Sequence, residues 1–212
     1  MESTQLEPQF EQQLEPQTQP EAQPEVQPEH NEDWKRFGLD ILETIVLAVV
    51  LYFGINALSA RVRVDGFSMI PTLQNGEYIL VNRLAYKTGT PARGDIIVFS
   101  LPADNGQDLI KRVIGLPGET VHISDGSVTI NGVKLQETYI AQDPLYFGDW
   151  TVPEGHLFVL GDNRNDSRDS HQWGLLPFEN VIGKSVLIYW PPPEWKIINH
   201  TEEVFTPQEQ GY

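Results

Sequence analysis

The chain has 212 residues, and 30 Asp and Glu against 14 Lys and Arg give it a formal net charge of −16. Such an acidic chain lacks the basic stripe that nucleic-acid binding needs, so nucleic acid is not expected as a partner. The absence of cysteine excludes disulfides, thiolate metal sites and cysteine nucleophiles. The five histidines do not show the His-Glu-x-x-His spacing of zinc peptidases, and neither a metal nor a cofactor is expected.

The first 33 residues have an unusual composition. They contain eight Glu and one Asp but neither Lys nor Arg, so more than half of the net charge lies here. Proline breaks helices and like charges repel, so a stretch this rich in Gln, Glu and Pro cannot bury enough surface to order itself. We predict a disordered acidic tail over residues 1–33, for which a solvated spacer is favoured over a partner-docking segment.

A long apolar run follows the tail. No charged residue occurs from 44 to 60, and counted from Leu39 the run has 22 residues, or ~33 Å as a helix against a hydrocarbon core of ~30 Å. Residues typical of membrane interfaces flank the run: Trp34, Lys35 and Arg36 before it, and Arg61 and Arg63 after it. We predict one transmembrane anchor over residues 34–61.

Two other interpretations of this run compete with a membrane anchor. A buried core helix needs polar residues along one face, which the run almost lacks. A cleaved signal peptide is favoured by the small residues of Ala57-Leu58-Ser59 but not by the length of the run or by the acidic tail before it. Two positive charges lie on each side, so charge alone assigns no orientation.

From residue 62 the pattern becomes that of a β domain. Turn-forming Gly, Pro, Asn and Asp separate short apolar runs at 78–81, 95–99, 109–114, 121–123, 128–130, 157–160 and 186–189. Asn131-Gly132, between Ile130 and Val133, is the strongest hairpin signal. Because no long helical period follows residue 61, we predict a mostly antiparallel β fold over residues 62–190. Residues 191–212 are predicted to form a loosely packed or disordered C-terminal tail.

Ser68 and Lys111 are the candidates for a nucleophile and a base. Ser68 lies between Gly66 and Pro71, where a serine that only closes a β-turn is the default alternative. Lys111 lies in an apolar run, and burial there would lower its pKa from ~10.4 toward the ~7–8 useful to a general base, a difference of roughly 4 kcal/mol. Taken alone, the pattern around Lys111 favours an edge-strand lysine whose ammonium reaches water.

A polar loop follows the predicted strand at 157–160. Residues 161–171 are all Gly, Asp, Asn, Arg, Ser or His, and their short polar side chains favour a loop that hydrogen-bonds within itself. A calcium-binding loop is the alternative, but the spacing matches no EF-hand, and Arg164 and Arg168 would repel a divalent cation. We therefore expect this loop to support a neighbouring site.

In their order along the chain, these clusters resemble the bacterial type I signal peptidase (leader peptidase) family of serine endopeptidases with a Ser/Lys dyad. The resemblance covers roughly residues 39–190 and rests on four segments: 68–73 (Ser-Met-Ile-Pro-Thr-Leu), 93–99 (Arg-Gly-Asp-Ile-Ile-Val-Phe), 111–119 (Lys-Arg-Val-Ile-Gly-Leu-Pro-Gly-Glu) and 161–174. One such segment would be weak evidence, whereas four in order are specific. The implied fold is an antiparallel β catalytic domain with a small second lobe, preceded by one transmembrane helix.

The resemblance also implies roles for individual residues. Ser68 would attack the scissile carbonyl, its backbone N–H would donate in the oxyanion hole, and neutral Lys111 would accept its proton. Ser167 would hydrogen-bond and orient Lys111. Structural support would come from Arg112 paired with Asp162, and from Asp169 in the last loop.

Two positions depart from the family pattern. Gly66 stands where some members carry a serine whose hydroxyl joins the oxyanion hole, so that hole would here rest on backbone N–H groups. His171 stands where arginine is frequent, so an arginine salt bridge to Asp169 is not available. The stretch between the lysine segment and the last segment is short, which predicts a compact second lobe around Asn131-Gly132.

The partners implied by the resemblance are signal peptides of exported preproteins and the lipid bilayer, with the oligomeric state left open. The substrate would lie as a β-strand along a groove edge, with small side chains one and three residues before the cut. The chain would cross the plasma (inner) membrane once, with the catalytic domain on the non-cytoplasmic side; a second internal membrane is an alternative. Two rival functions are a self-cleaving repressor-type Ser/Lys protease and an inactive membrane-tethered β module.

Overall fold

The N-terminal part of the described chain is one long helix. The structure, a computed structural model, describes residues 30–101 and 107–200, with side chains from residue 34. Helix α1 (His30–Leu58) contains the apolar stretch Trp34–Leu58, whose 25 residues are long and apolar enough to cross a membrane. None of its most apolar part is buried inside the protein, which excludes the core-helix alternative.

Helix α1 ends at Leu58, before the predicted limit of residue 61. Strand β1 (Ser59–Arg63) follows at once and pairs antiparallel with strand β2 (Tyr78–Asn82) over five residue pairs. The Ser59 hydroxyl donates to the carbonyl of Ile55 at 2.8 Å, which satisfies one of the last helical acceptors. Residues 59–61, which the apolar composition alone would assign to the helix, therefore belong to a strand because they pair with β2.

The other elements are short and follow one another closely. The remaining described strands are β3 (Ile96–Ser100), β4 (Asp108–Gly115), β5 (Thr120–Ser124), β6 (Ser127–Ile130), β7 (Val133–Lys134), β8 (Gly148–Thr151), β9 (His156–Leu160), β10 (Leu176–Pro177), β11 (Val181–Trp190) and β12 (Lys196–Ile197). The short helices are α2 (Ala85–Thr88) and α3 (Ser170–Trp173), with 3-10 turns at Phe178–Asn180 and Pro192–Glu194.

These strands form two antiparallel sheets. The larger sheet has the order β1-β2-β11-β3-β4-β9-β10, with β12 paired to β11, and the smaller has the order β7-β6-β5-β8. The predicted fold, mostly antiparallel β with a small second lobe, is therefore confirmed, and each predicted apolar run overlaps a strand. In the smaller sheet Asn131 and Gly132 have φ angles of 52° and 83°, the left-handed pair that a tight hairpin needs.

The core beside the candidate site packs the connection between β1 and β2 against the larger sheet. Met69 is 2% exposed and Leu73 is fully buried, and both pack against a cluster that includes Ile79, Ile96 and Ile110. A separate cluster fills the smaller sheet and a third lies beneath β3, β4 and β9. Since Met69 directly follows Ser68, this burial fixes the backbone that carries the candidate nucleophile.

The segment after residue 190 is more ordered than the sequence predicts. Strand β12 pairs with β11, Ile198 is 3% exposed within the core, and the Ile96 N–H donates to Nδ1 of His200 at 3.2 Å. Packing of one isoleucine and one histidine therefore extends the domain to residue 200, beyond the predicted boundary. The tails predicted at residues 1–29 and 201–212 lie outside the described residues, whereas residues 30–33 begin α1.

Candidate active site

Ser68 lies in the loop that connects β1 to β2. Gly66 precedes it with a φ of 107°, a left-handed backbone that favours glycine, and donates its N–H to Oδ1 of Asn75 at 3.0 Å. This conformation is a physical reason for glycine at residue 66. Phe67 is 56% exposed and Met69 is buried, so Ser68 stands at the boundary between solvent and core.

Lys111 lies on β4, which is an inner strand between β3 and β9. Its side chain is 3% exposed, and Nζ donates to Oγ of Ser68 at 2.8 Å and to the carbonyl of Ile110 at 2.9 Å. The edge-strand alternative is therefore excluded. Although 43 residues separate them in sequence, the two candidates are in direct contact.

This pair has the geometry that nucleophilic catalysis requires. An amine within hydrogen-bond distance of a serine hydroxyl can remove its proton, provided that the amine is neutral when the hydroxyl attacks. Burial disfavours the charged ammonium because water no longer solvates it. The Lys111 amine is nearly inaccessible to solvent, which is the environment a lysine base needs.

The polar loop after β9 holds the backbone of the Ser68 segment. The N–H of Asn163 donates to the carbonyl of Ser68 at 3.0 Å, and its side-chain amide donates to the carbonyl of Phe67 at 3.1 Å. Gly161 lies so close that a Cβ there would come within 2.5 Å of the Ser68 carbonyl oxygen. Sequence reasoning did not single out Asn163, because a loop asparagine carries no signal of the distant backbone that it binds.

Arg112 and Asp162 form a buried ion pair beside the site. Arg112 donates from Nε and Nη2 to the two carboxylate oxygens at 2.7 and 2.6 Å, and the two side chains are 1% and 0% exposed. The guanidinium also donates to the carbonyl of Gly94 at 2.9 Å and lies 3.9 Å from the centre of the Tyr139 ring. The Thr72 hydroxyl donates to the same carboxylate, which connects the pair to the Ser68 loop.

Ser167 lies against this site without the hydrogen bond that was expected. It is 8% exposed, and its Oγ has no hydrogen-bond partner within the part of the chain that the structure describes. A Cβ on Gly161 would lie 2.2 Å from that oxygen, so Ser167 and the Ser68 carbonyl contact the same glycine. The predicted bond from Ser167 to Lys111 is thus not formed in this structure, although the buried hydroxyl is close to the nucleophile segment.

Asp169 and His171 form a second pair behind the loop. Nδ1 of His171 lies 2.6 Å from Oδ1 of Asp169, which is fully buried, and Oδ2 of Asp169 accepts from the N–H of Gly161 at 2.9 Å. His171 therefore supplies a partner for Asp169 at the position where the family pattern led us to expect arginine. The carboxylate also caps α3 by accepting from the N–H of His171.

A further buried cluster supports the loop from the small-lobe side. Arg164 is 1% exposed, pairs with Glu137 through both of its terminal nitrogens and donates from Nε to the carbonyl of Gly161 at 3.1 Å. Tyr139 donates to the same glutamate at 2.7 Å, and its pKa is raised by burial and then by that carboxylate. Sequence analysis missed Glu137 and Tyr139 because they lie between the recognisable segments.

Comparison with known proteins agrees with this architecture. The family described as signal peptidase, peptidase S26, matches residues 38–190. Signal peptidase I of Leptolyngbya laminosa is 46% identical over 159 residues, covering 71% of this chain and 78% of that protein. A probable signal peptidase I-2 of Synechocystis sp. is 41% identical over 172 residues, covering 78% and 79%. Thylakoidal processing peptidase 1 of Arabidopsis thaliana, a chloroplastic protein, is 35% identical over 148 residues, covering 65% and 44%.

The matched span includes most of the apolar helix and the whole region from Ser68 to β11. It covers well over half of the chain, and the first two relatives are matched over more than two thirds of their own length. The chain therefore belongs to the type I signal peptidase family, peptidase S26, whose members are membrane-anchored serine endopeptidases that cleave signal peptides from exported preproteins.

Proposed function

We propose that this signal peptidase works through a Ser68/Lys111 dyad. The observation that supports it is the 2.8 Å contact between Oγ of Ser68 and Nζ of a lysine that is 3% exposed. In the active form Lys111 is neutral, so its lone pair faces the Ser68 hydroxyl while one N–H still donates to the Ile110 carbonyl. That second bond orients the amine.

The reaction then proceeds in two steps. Ser68 Oγ attacks the carbonyl before the cut while its proton moves to Lys111 Nζ, and the resulting oxyanion accepts from backbone N–H groups that include that of Ser68. Collapse breaks the C–N bond, and Lys111 gives the proton to the leaving amine. A water that Lys111 deprotonates hydrolyses the acyl ester, and the proton returns to Ser68 Oγ.

Three surrounding features are proposed to support the dyad. Ser167 is proposed to orient Lys111, because its buried hydroxyl lies beside Gly161 and has no other partner among the described residues. The Arg112–Asp162 pair is proposed to hold the Ser68 loop through Thr72. Gly66 leaves the oxyanion hole to backbone donors, since its left-handed φ disfavours a side chain.

The membrane and the side of the membrane are also part of the proposal. We place the catalytic domain on the non-cytoplasmic side of the plasma (inner) membrane, because signal peptides reach their cleavage sites after export. The similarity to a thylakoidal processing peptidase supports a second, internal membrane as a further location. Fractionation of the native cell with a protease-protection assay checks both statements.

A preprotein cleavage assay tests the dyad. The full chain in detergent is incubated with a separate preprotein, which also distinguishes cleavage in trans from self-cleavage. Ser68→Ala and Lys111→Met should each lower the rate by about 10³-fold or more, because each removes a group needed in the first transition state. Lys134→Met is the matched control, since Lys134 is an exposed lysine of β7.

All variants should retain the unfolding transition of the parent protein. Normal processing by folded Ser68→Ala or Lys111→Met would refute the dyad. A comparable loss in Lys134→Met would show that the assay reports something other than the site.

A further inference from the structure

A continuous series of contacts runs from His171 to the nucleophile. Nδ1 of His171 lies 2.6 Å from Oδ1 of Asp169, and Oδ2 of Asp169 accepts from the Gly161 N–H at 2.9 Å. Gly161 in turn contacts the Ser68 carbonyl, to which the N–H of Asn163 donates at 3.0 Å. Each link is a direct contact. The two side chains in the series, those of His171 and Asp169, are 13% and 0% exposed, and the other links are made by backbone groups.

The contact between His171 and Asp169 indicates which nitrogen of the imidazole carries a proton. A carboxylate oxygen only accepts hydrogen bonds, so the short contact requires a proton on Nδ1 of His171. Asp169 is completely buried, and a buried carboxylate needs every available donor. The donors it has here are the imidazole, the N–H of Gly161 and the N–H of His171, so removal of the imidazole N–H leaves Oδ1 with only the longer, 3.3 Å bond from the backbone of His171.

A second contact keeps the imidazole in place. The ring of Tyr146 stacks on that of His171 with centroids 3.9 Å apart and an interplanar angle of 10°. The segment before Tyr146 is itself tied to the loop, because the Leu145 N–H donates to Oδ1 of Asn165 and the Asn165 amide donates to the carbonyl of Asp143, both at 2.9 Å. The imidazole of His171 is thus held by two contacts, with the ring of Tyr146 and with the carboxylate of Asp169.

The position of Gly161 is where these contacts act on the reaction. A Cβ at this residue would come within 2.5 Å of the Ser68 carbonyl oxygen and 2.2 Å of Ser167 Oγ. The loop and the backbone of the nucleophile segment are therefore closely packed at Gly161. A shift of Gly161 therefore displaces Ser68 or Ser167. Misplacement of a reacting group by ~1 Å can lower a rate by about 10²-fold.

We propose that His171 is a positioning residue of the cleavage reaction, acting through its Nδ1–H on Asp169 and through Asp169 on Gly161 and Ser68. The donor, and not the ring, is the feature that matters. Arginine at this position would fulfil the same role, because its planar guanidinium can both donate to the carboxylate and stack on Tyr146. This inference rests on the proposed role of Ser68 in catalysis.

Three variants of the full chain separate the donor from the ring. His171→Phe keeps an aromatic ring against Tyr146 but has no N–H, and we expect kcat to fall by about 10- to 100-fold with KM within about twofold. His171→Arg restores a donor and should stay within about threefold of the parent kcat. His171→Gln provides an amide donor without a ring, and its kcat should also be higher than that of His171→Phe. If the Phe variant does not fold, the kcat of the Gln variant relative to the parent tests whether a donor without the ring is sufficient.

Exchange of the Gly161 amide hydrogen provides a readout that does not depend on the dyad. Because this N–H is held by Asp169, its exchange should accelerate in His171→Phe and return toward the parent rate in His171→Arg. A parent-like kcat in folded His171→Phe, or an Arg variant as impaired as the Phe variant, would overturn the inference. If Ser68→Ala cleaves normally in the same assay, the dyad is refuted, whereas the exchange data still decide whether His171 positions Gly161.

Discussion

Substitution of Asp162 by asparagine should be among the most destabilising single changes in the catalytic domain. The carboxylate accepts two hydrogen bonds from Arg112 and one from Thr72 and is completely buried. The substitution replaces one of the two oxygens by an NH2 group, which must then face an N–H or O–H donor, and the buried guanidinium loses its counter-charge. Leaving one partner of a buried ion pair uncompensated costs about 3–5 kcal/mol.

This cost converts into a measurable shift of the melting temperature. At roughly 2–4 °C per kcal/mol for a domain of this size, Asp162→Asn should lower the Tm by about 6–20 °C. Tryptophan fluorescence of the full chain in detergent follows unfolding of the β domain. Asp149→Asn is the matched control, because Asp149 is 73% exposed and pairs with a half-exposed histidine, a surface contact worth up to about 1 kcal/mol. Equal shifts in the two variants would refute the argument from charge burial.

Two further predictions concern Ser167 and His200. Ser167→Ala should lower kcat by about tenfold or more, because it removes the hydroxyl proposed to orient Lys111 during the reaction. The free energy of unfolding should not fall, because in the resting structure this buried hydroxyl has no hydrogen-bond partner among the described residues. An unchanged kcat would contradict the orienting role. In the folded protein the pKa of His200 is lowered, first by burial and then by the charge of Lys184. In the unfolded chain this histidine has a pKa of ~6.5, so below about pH 6.5 the unfolded chain binds more protons than the folded one. The folded state therefore loses stability as the pH falls from there through the lowered folded pKa. His200→Asn keeps an acceptor for the Ile96 N–H but does not titrate, and urea unfolding should show a smaller loss between about pH 7 and pH 5; parallel pH curves would contradict this.

Local patterns singled out Ser68 and Lys111, although by themselves they favoured a turn serine and an edge-strand lysine. The period of two in the run around Lys111 predicts a strand, and charge in an apolar strand indicates an unusual environment. Gly66 and Pro71 mark a constrained loop around Ser68 for the same kind of local reason. That these residues meet depends on the order of strands in the larger sheet, which no local pattern contains and which only the resemblance to a family supplied.

The residues that were missed act through long-range contacts. Glu137 pairs with Arg164 across 27 residues, and Asn163 binds a backbone carbonyl 96 residues away. Such contacts are made by ordinary polar side chains whose identity does not reveal a distant partner. The end of α1 and the packing of Ile198 were misjudged for a related reason, since tertiary pairing overrides local composition.

The strand order also relates the two candidate catalytic residues to the order in which the chain is synthesised. The hairpin of β1 and β2 carries the Ser68 loop, and β4, the second strand of the hairpin formed with β3, carries Lys111. Strand β11 lies between these hairpins in the sheet, with Lys184 opposite both Asn82 and Ile97. Strand β11 is synthesised after both hairpins, so the sheet that joins the Ser68 loop to the Lys111 strand can be completed only once residues 181–190 are available. Completion of this sheet therefore follows synthesis of the apolar helix, which lies N-terminal to both hairpins.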